Sequence, residues 1–198
     1  MTDLQSWVAP TYDRLADLLA AAVEAWDAPS LCRNWLVRHV IAHVTMPVRL
    51  TPEQFGAQLA AAGGDFTVLS DTVAARDASL PVPDLLDQLR SPVLQAWQPP
   101  SGGAAGALSH AVIHSLDVTI ALDRPTVVPE PALAAVLGQL TAAHGTWFGV
   151  DLTGIRLEAT DADWSWGDGQ RTRADSGRLV ALLSGRTLPD GRALPRRG

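Results

Sequence analysis

Leu108-Ser109-His110-Ala111-Val112-Ile113-His114-Ser115-Leu116-Asp117 carries two histidines four residues apart and an aspartate three further on. On an α-helix these positions fall on one stripe, and the apolar faces on either side (Leu108, Val112, Ile113, Leu116, and beyond them Ile120) mark a helix packed into a core. A buried helix would ordinarily fill that stripe with Leu or Ala. The flanking sequence makes the helix long, from Ala104 to Leu122, with Pro125 closing it. A second pair, His39 and His43, has the same spacing, so four of the five histidines stand in helical pairs. Two such helices facing each other in a bundle can aim three imidazoles at one point and leave a coordination position open. A divalent-metal site is the expectation.

The remaining elements are also mainly helical. The recurrence of Leu15, Leu18, Leu19, Ala22, Val23 and Trp26 predicts an amphipathic helix over Leu4–Trp26, and Asn34 reads as the N-cap of a helix over Trp35–Thr45. Pro52 opens a helix through Ala61 that Gly63-Gly64 ends, and Phe66–Ala78 continues the pattern. A helix beginning at Pro83-Asp84 is split or kinked by Pro92, and another covers Pro131–His144. After Gly149 the style changes. Gly154–Thr160 alternates with period two and reads as a strand beside Trp164-Ser165-Trp166, Asp168-Gly169 as a tight turn, and Ser176–Ser184 as a short helix. The expected organisation is a helical bundle over 1–148 and a small α/β unit over 149–198, with Thr187–Gly198 as a loosely attached tail.

The composition narrows the function. With a net charge of −6 the chain lacks the electrostatic attraction on which non-specific nucleic-acid binding rests. All 15 basic residues are arginine, which removes lysine Schiff-base chemistry. No apolar run reaches the roughly 18–20 residues of a membrane span. One cysteine, Cys32, excludes internal disulfides, and a cytoplasmic protein is expected because no signal-peptide pattern is seen. Asp161-Ala162-Asp163 fails as a calcium loop, since Trp166 stands where glycine is required and Thr172 where a glutamate belongs. His144, near a helix end beside Gly145, reads as structural.

Trp26-Asp27-Ala28-Pro29-Ser30-Leu31-Cys32-Arg33-Asn34-Trp35-Leu36-Val37-Arg38-His39-Val40-Ile41-Ala42-His43-Val44 resembles the signature of the mycothiol-dependent maleylpyruvate isomerase family, within the DinB-like metal-binding superfamily. The segment 108–117 is similar to that family's second metal helix, and Phe148–Asp151 through Asp163–Gly167 to the C-terminal part of its short members. The resemblance implies a DinB-like four-helix bundle with a small C-terminal α/β extension. It implies His43, His110 and His114 as metal ligands, and Asp117 is a candidate to orient one of them or else a surface or capping carboxylate. Zinc is the expected metal, with nickel or iron as alternatives. Mycothiol as cofactor, a small electrophilic substrate, isomerase or thiol-transferase chemistry and a homodimer are further implications.

The chain departs from the family where His110 replaces a glutamate, His39 an acidic residue and Leu36 a helix-starting threonine. Imidazole in place of carboxylate makes the site more positive. His39 is left out of the ligand set and, with Arg38 and Arg76 as binders of a substrate carboxylate, stands as a catalytic candidate. The second reading is a DinB-like metal-binding or stress-response protein without catalysis. A pocket with an open coordination position would favour the enzyme, and a fourth protein ligand the alternative.

Overall fold

The structure, a computed structural model, describes residues 3–198; the first two residues of the expected 1–148 unit lie outside it. The main elements are α1 (Val8–Ala21), α2 (Val37–Val44), α3 (Met46–Arg49), α4 (Pro52–Ala61), α5 (Phe66–Asp77), α6 (Val82–Leu89), α7 (Pro92–Ala96), α8 (Gly103–Thr119), α9 (Glu130–Ala142), β1 (Ile155–Ala159), β2 (Ser165–Trp166), β3 (Gln170–Ala174) and α10 (Ser176–Leu183). The fold is mainly helical with a small sheet near the C-terminus. Helix α8 packs against both α1 and α2, and α5 packs on α2. Its apolar faces are the ones expected: Leu108, Val112 and Leu116 are all buried. No described helix is long and apolar enough to cross a membrane.

The first helix is shorter than the apolar pattern predicts. The backbone leaves helical geometry at Ala22 (φ −129°, ψ 66°), and a 3-10 turn over Val23–Asp27 carries Trp26 into the core. There the Trp26 indole Nε1 donates to the carbonyl of Leu19 at 3.3 Å, an acceptor at the helix end that it shares with the backbone N–H of Ala22. Burying the indole outweighs extending the helix. Asn34 likewise is not an N-cap. It takes a left-handed conformation (φ 66°) inside the loop, and α2 starts three residues later. Pro92 does split its segment, into α6 and α7.

In the sheet, β1 lies centrally, antiparallel to β2 and parallel to β3. Asp168-Gly169 therefore does not turn between neighbours; it carries the chain across the start of β1. The crossing is tight. A Cβ on Gly169 (φ 125°) would stand 2.1 Å from the carbonyl oxygen of Gly154. Gly169→Ala is expected to lower stability by roughly 2–3 kcal/mol, from strain in a glycine-only conformation plus the clash, read as a lower midpoint in urea unfolding. An unchanged midpoint would mean that the crossing is not as drawn. Strand β3 lacks a clear apolar alternation because Arg171 and Arg173 face solvent and flank Glu158 of β1.

The tail is not loose. Leu188 and Leu194 are buried, Asp151 N–H donates to the Pro195 carbonyl at 2.8 Å, and Arg197 N–H to that of Gly149 at 2.9 Å. Its prolines and arginines suggest a free end, but the carbonyls left unpaired in the 144–150 turn need donors. The guanidinium groups of Arg196 and Arg197 supply them. The expected 149–198 unit shares one continuous apolar core with the helices, through Val150, Leu157 and Leu179 among others.

Candidate metal centre

Helix α8 presents His110 and His114 one turn apart, and α2 brings His43 against them. Their ring centroids form a triangle with sides of 5.3, 4.9 and 4.8 Å. One ring nitrogen from each of the three lies within 4.8 Å of the others. The orientation of two rings is set by neighbours. Tyr12 on α1, fully buried, shares a 3.1 Å hydrogen bond between its hydroxyl and Nδ1 of His110. Asp117 Oδ2 lies 2.9 Å from Nδ1 of His114. Both rings thus turn Nε2 toward the common point, and Nε2 of His110 is 3.3 Å from Nε2 of His43.

This donor set suits a divalent ion. Burial pushes the His43 imidazole down to about 3, with His114 adding to the shift, and also pushes His110 well below its usual value. Both rings are therefore neutral, with lone pairs to offer. Two nitrogens each ~2.05 Å from one ion at a tetrahedral angle stand ~3.3 Å apart, the spacing of the facing Nε2 atoms. Among the described residues Nδ1 of His43 has no hydrogen-bond partner, so nothing forces a proton onto its Nε2.

Around the histidines the charges are paired with care. Asp117 is fully buried, and burial alone would raise its pKa. Hydrogen bonds from Arg186 (Nε to Oδ1 2.7 Å, Nη2 to Oδ2 2.9 Å) and from His114 outweigh that and hold the carboxyl well below the usual carboxylate range. Arg186 reaches in because α10 ends in a Schellman motif: Gly185 (φ 74°) donates to Leu182 and Arg186 N–H to Ala181, which turns the chain back. Cys32 donates its thiol to Asp117 Oδ2 at 3.0 Å, and burial followed by the charge of Asp117 pushes that thiol up. It is a donor here, not a nucleophile. The loop carrying Cys32 is tied to α8 by Leu31 N–H donating to the Asp117 carbonyl at 3.0 Å.

The three catalytic candidates sit elsewhere. His39 accepts the backbone N–H of Leu36 on its Nδ1 at 3.2 Å, filling the third position of α2 where a capping box carries an acid. Its neutral state follows, since burial and the nearby Arg38 both lower its pKa. Arg38 pairs with Asp27, and Arg76 with Asp77, which Arg49 also holds. None of the three lines the cleft over the histidines, a space of about 480 Å³ bounded by Cys32, Trp35, Ser70, Asp71, Ile113 and Phe148 among others. His43, His110 and His114 do line it, as does Arg186. Sequence reasoning missed Tyr12 and Arg186. The one available signal was Asp117, a buried carboxylate requiring a cation somewhere in the chain.

Residues 8–98 match the model of the mycothiol maleylpyruvate isomerase N-terminal domain. Two solved structures have a similar fold: the mycothiol-dependent maleylpyruvate isomerase (TM-score 0.53) and a histidine-to-alanine mutant of it (TM-score 0.52). Each is 18% identical, over 98% of this chain and 93% of the other. No curated protein matches. Residues 8–98 are thus similar to the mycothiol maleylpyruvate isomerase N-terminal domain, and the chain as a whole takes the fold of the solved isomerase.

Proposed function

We propose that this chain is a metal-dependent enzyme that uses a low-molecular-weight thiol of the mycothiol type on a small electrophile, as an isomerase or thiol transferase. The observation that carries the reading is the convergence of three imidazoles on a cleft with no fourth protein ligand facing them among the described residues. A sealed, four-ligand site would have favoured a non-catalytic metal protein. His43, His110 and His114 would hold the ion, zinc in our reading, with nickel or iron as alternatives. Such an ion supplies one thing: it lowers the pKa of a thiol at its open position, so that thiolate forms at neutral pH.

The chain's own groups do the rest. Asp117 keeps the His114 proton on Nδ1, and Tyr12 steadies His110, so both rings stay aimed as ligands. Arg186 is held by Asp117 and also lines the cleft, so the ion pair fixes the inner end of the site. Ser70 Oγ is buried, without a partner among the described residues, and lines the cleft; it suits a hydroxyl of a sugar-bearing thiol. The reading places the enzyme in the cytoplasm, where such thiols are kept reduced, and takes a homodimer as its assembly.

Titration calorimetry of mycothiol into the metal-loaded protein tests this. One thiol per chain is expected, with proton release, followed by turnover on electrophiles. Absence of thiol binding overturns the proposal.

A further inference from the structure

A second cleft, of about 440 Å³, shares His43, Phe66, Gly106 and His110 with the first. Its remaining wall is built from Met46, Pro47, Phe55, Trp97, Pro99 and its neighbours, and no Asp, Glu or Arg lines it. The Trp97 ring stands edge-on to His110 at 5.4 Å, and Phe66 edge-on to His43 at 6.3 Å. Past Phe55 and Trp97 the trough continues as a hollow of about 240 Å³ bounded by Leu50, Pro52 and Val93. Phe66 and Val93 are 52% and 57% exposed. A concave apolar wall left open to water is unfavourable until something apolar covers it.

The first cleft is unlike it, carrying Arg33, Asp71 and Arg186 beside Ser70. Two clefts, one with charged side chains in its wall and one with none, therefore meet at the same imidazoles. We infer that the second cleft binds the electrophile and selects one with an elongated, uncharged apolar chain, not a dicarboxylate. A dianion would enter this trough with no counter-charge, at a cost of several kcal/mol in desolvation. The inference rests on the thiol-enzyme reading for its chemistry but not for its binding. With an alkenone, thiol addition forms the S–C bond at the β-carbon, the C=C π pair moves to the α-carbon, and the thiol's proton ends there; nothing is oxidised or reduced overall.

The test has a binding arm and a turnover arm, both on the metal-loaded full chain. Fluorescence titration with N-phenylnaphthylamine, an uncharged apolar probe, is expected to saturate at one site and to be competed by decenone but not by maleate. Phe55→Asp should weaken probe binding by at least about tenfold, the loss of roughly two methylenes' worth of apolar burial or more. Phe55 is half-buried at the edge of the small cluster of Met46, Leu69 and Val73, apart from the main core and on a helix with no fully buried residue, so the variant is expected to fold. Arg33→Ala, in the first cleft, should leave probe affinity unchanged. With mycothiol and alkenones from hexenone to dodecenone, kcat/KM should rise about fourfold per methylene until the trough is full. No saturable probe binding, wild-type affinity in Phe55→Asp, or turnover that ignores chain length or prefers maleate-like dianions overturns the inference. Phe55-dependent probe binding without any thiol turnover supports the apolar site and overturns only the thiol chemistry.

Discussion

Protein loaded with zinc and dialysed is expected to retain about one ion per chain, and His43→Ala and His114→Ala to retain essentially none. The size of the effect follows from the ligand count. With three protein ligands, losing one leaves two nitrogens for a four-coordinate ion, a greater loss than the 10- to 100-fold typical of removing an orienting neighbour. The apo proteins should differ much less. His43 is held neutral by burial, so its removal strands no charge, and apo His43→Ala loses only packing, on the order of 1–3 kcal/mol. Elemental analysis of untagged protein and calorimetric melting of apo protein give the two readouts. Unchanged metal content in both variants would remove the three-imidazole centre.

Asp117→Ala should behave in the opposite way, unfolding the apo protein as well as emptying the site. The carboxylate is fully buried and takes two hydrogen bonds from Arg186, whose side chain is itself only 21% exposed. Breaking such a pair leaves an uncompensated guanidinium and costs about 3–5 kcal/mol. Cys32 and His114 lose their acceptor in the same step. A pH series separates this from simple loss of packing. Because the native carboxyl is held below its unfolded value near 4, its ionisation contributes stability that is present above about pH 4 and is lost as pH falls toward the native value. Wild-type melting temperature should therefore drop steeply below about pH 4, and Asp117→Asn, with no carboxyl to titrate, should show a shallower slope. Equal slopes would mean that Asp117 carries no such charge.

What could be read in advance divides by distance along the chain. His110, His114 and Asp117 lie within two helical turns, so periodicity alone placed them on one stripe. Joining His43 to them needed the family resemblance, because nothing in a spacing of 67 residues says which helices face each other. Tyr12 and Arg186 act over 98 and 69 residues, and each looked ordinary in its own segment, a tyrosine on an amphipathic helix and an arginine after a glycine. Local spacing also misled. His39 and His43 have the same separation as the other pair, but α2 starts at Val37, so the first of them is used up at the helix terminus. The tail and β3 were missed for a related reason: their polar composition resembles that of a free loop, while their partners are backbone groups and charges supplied from elsewhere in the fold.

The pairing of Asp117 with Arg186 also sets an order in time. During synthesis all three histidines and Asp117 leave the ribosome before the last helix exists, so the nascent bundle holds a carboxylate in its core with its counter-ion still unmade. Until residue 186 arrives that half of the site favours staying hydrated, because an unpaired carboxylate is costly to bury. The closing turn of α10 thus acts as a late lock: on the proposed reading, a chain that stops short of it should acquire metal poorly even though all three histidines are already in place.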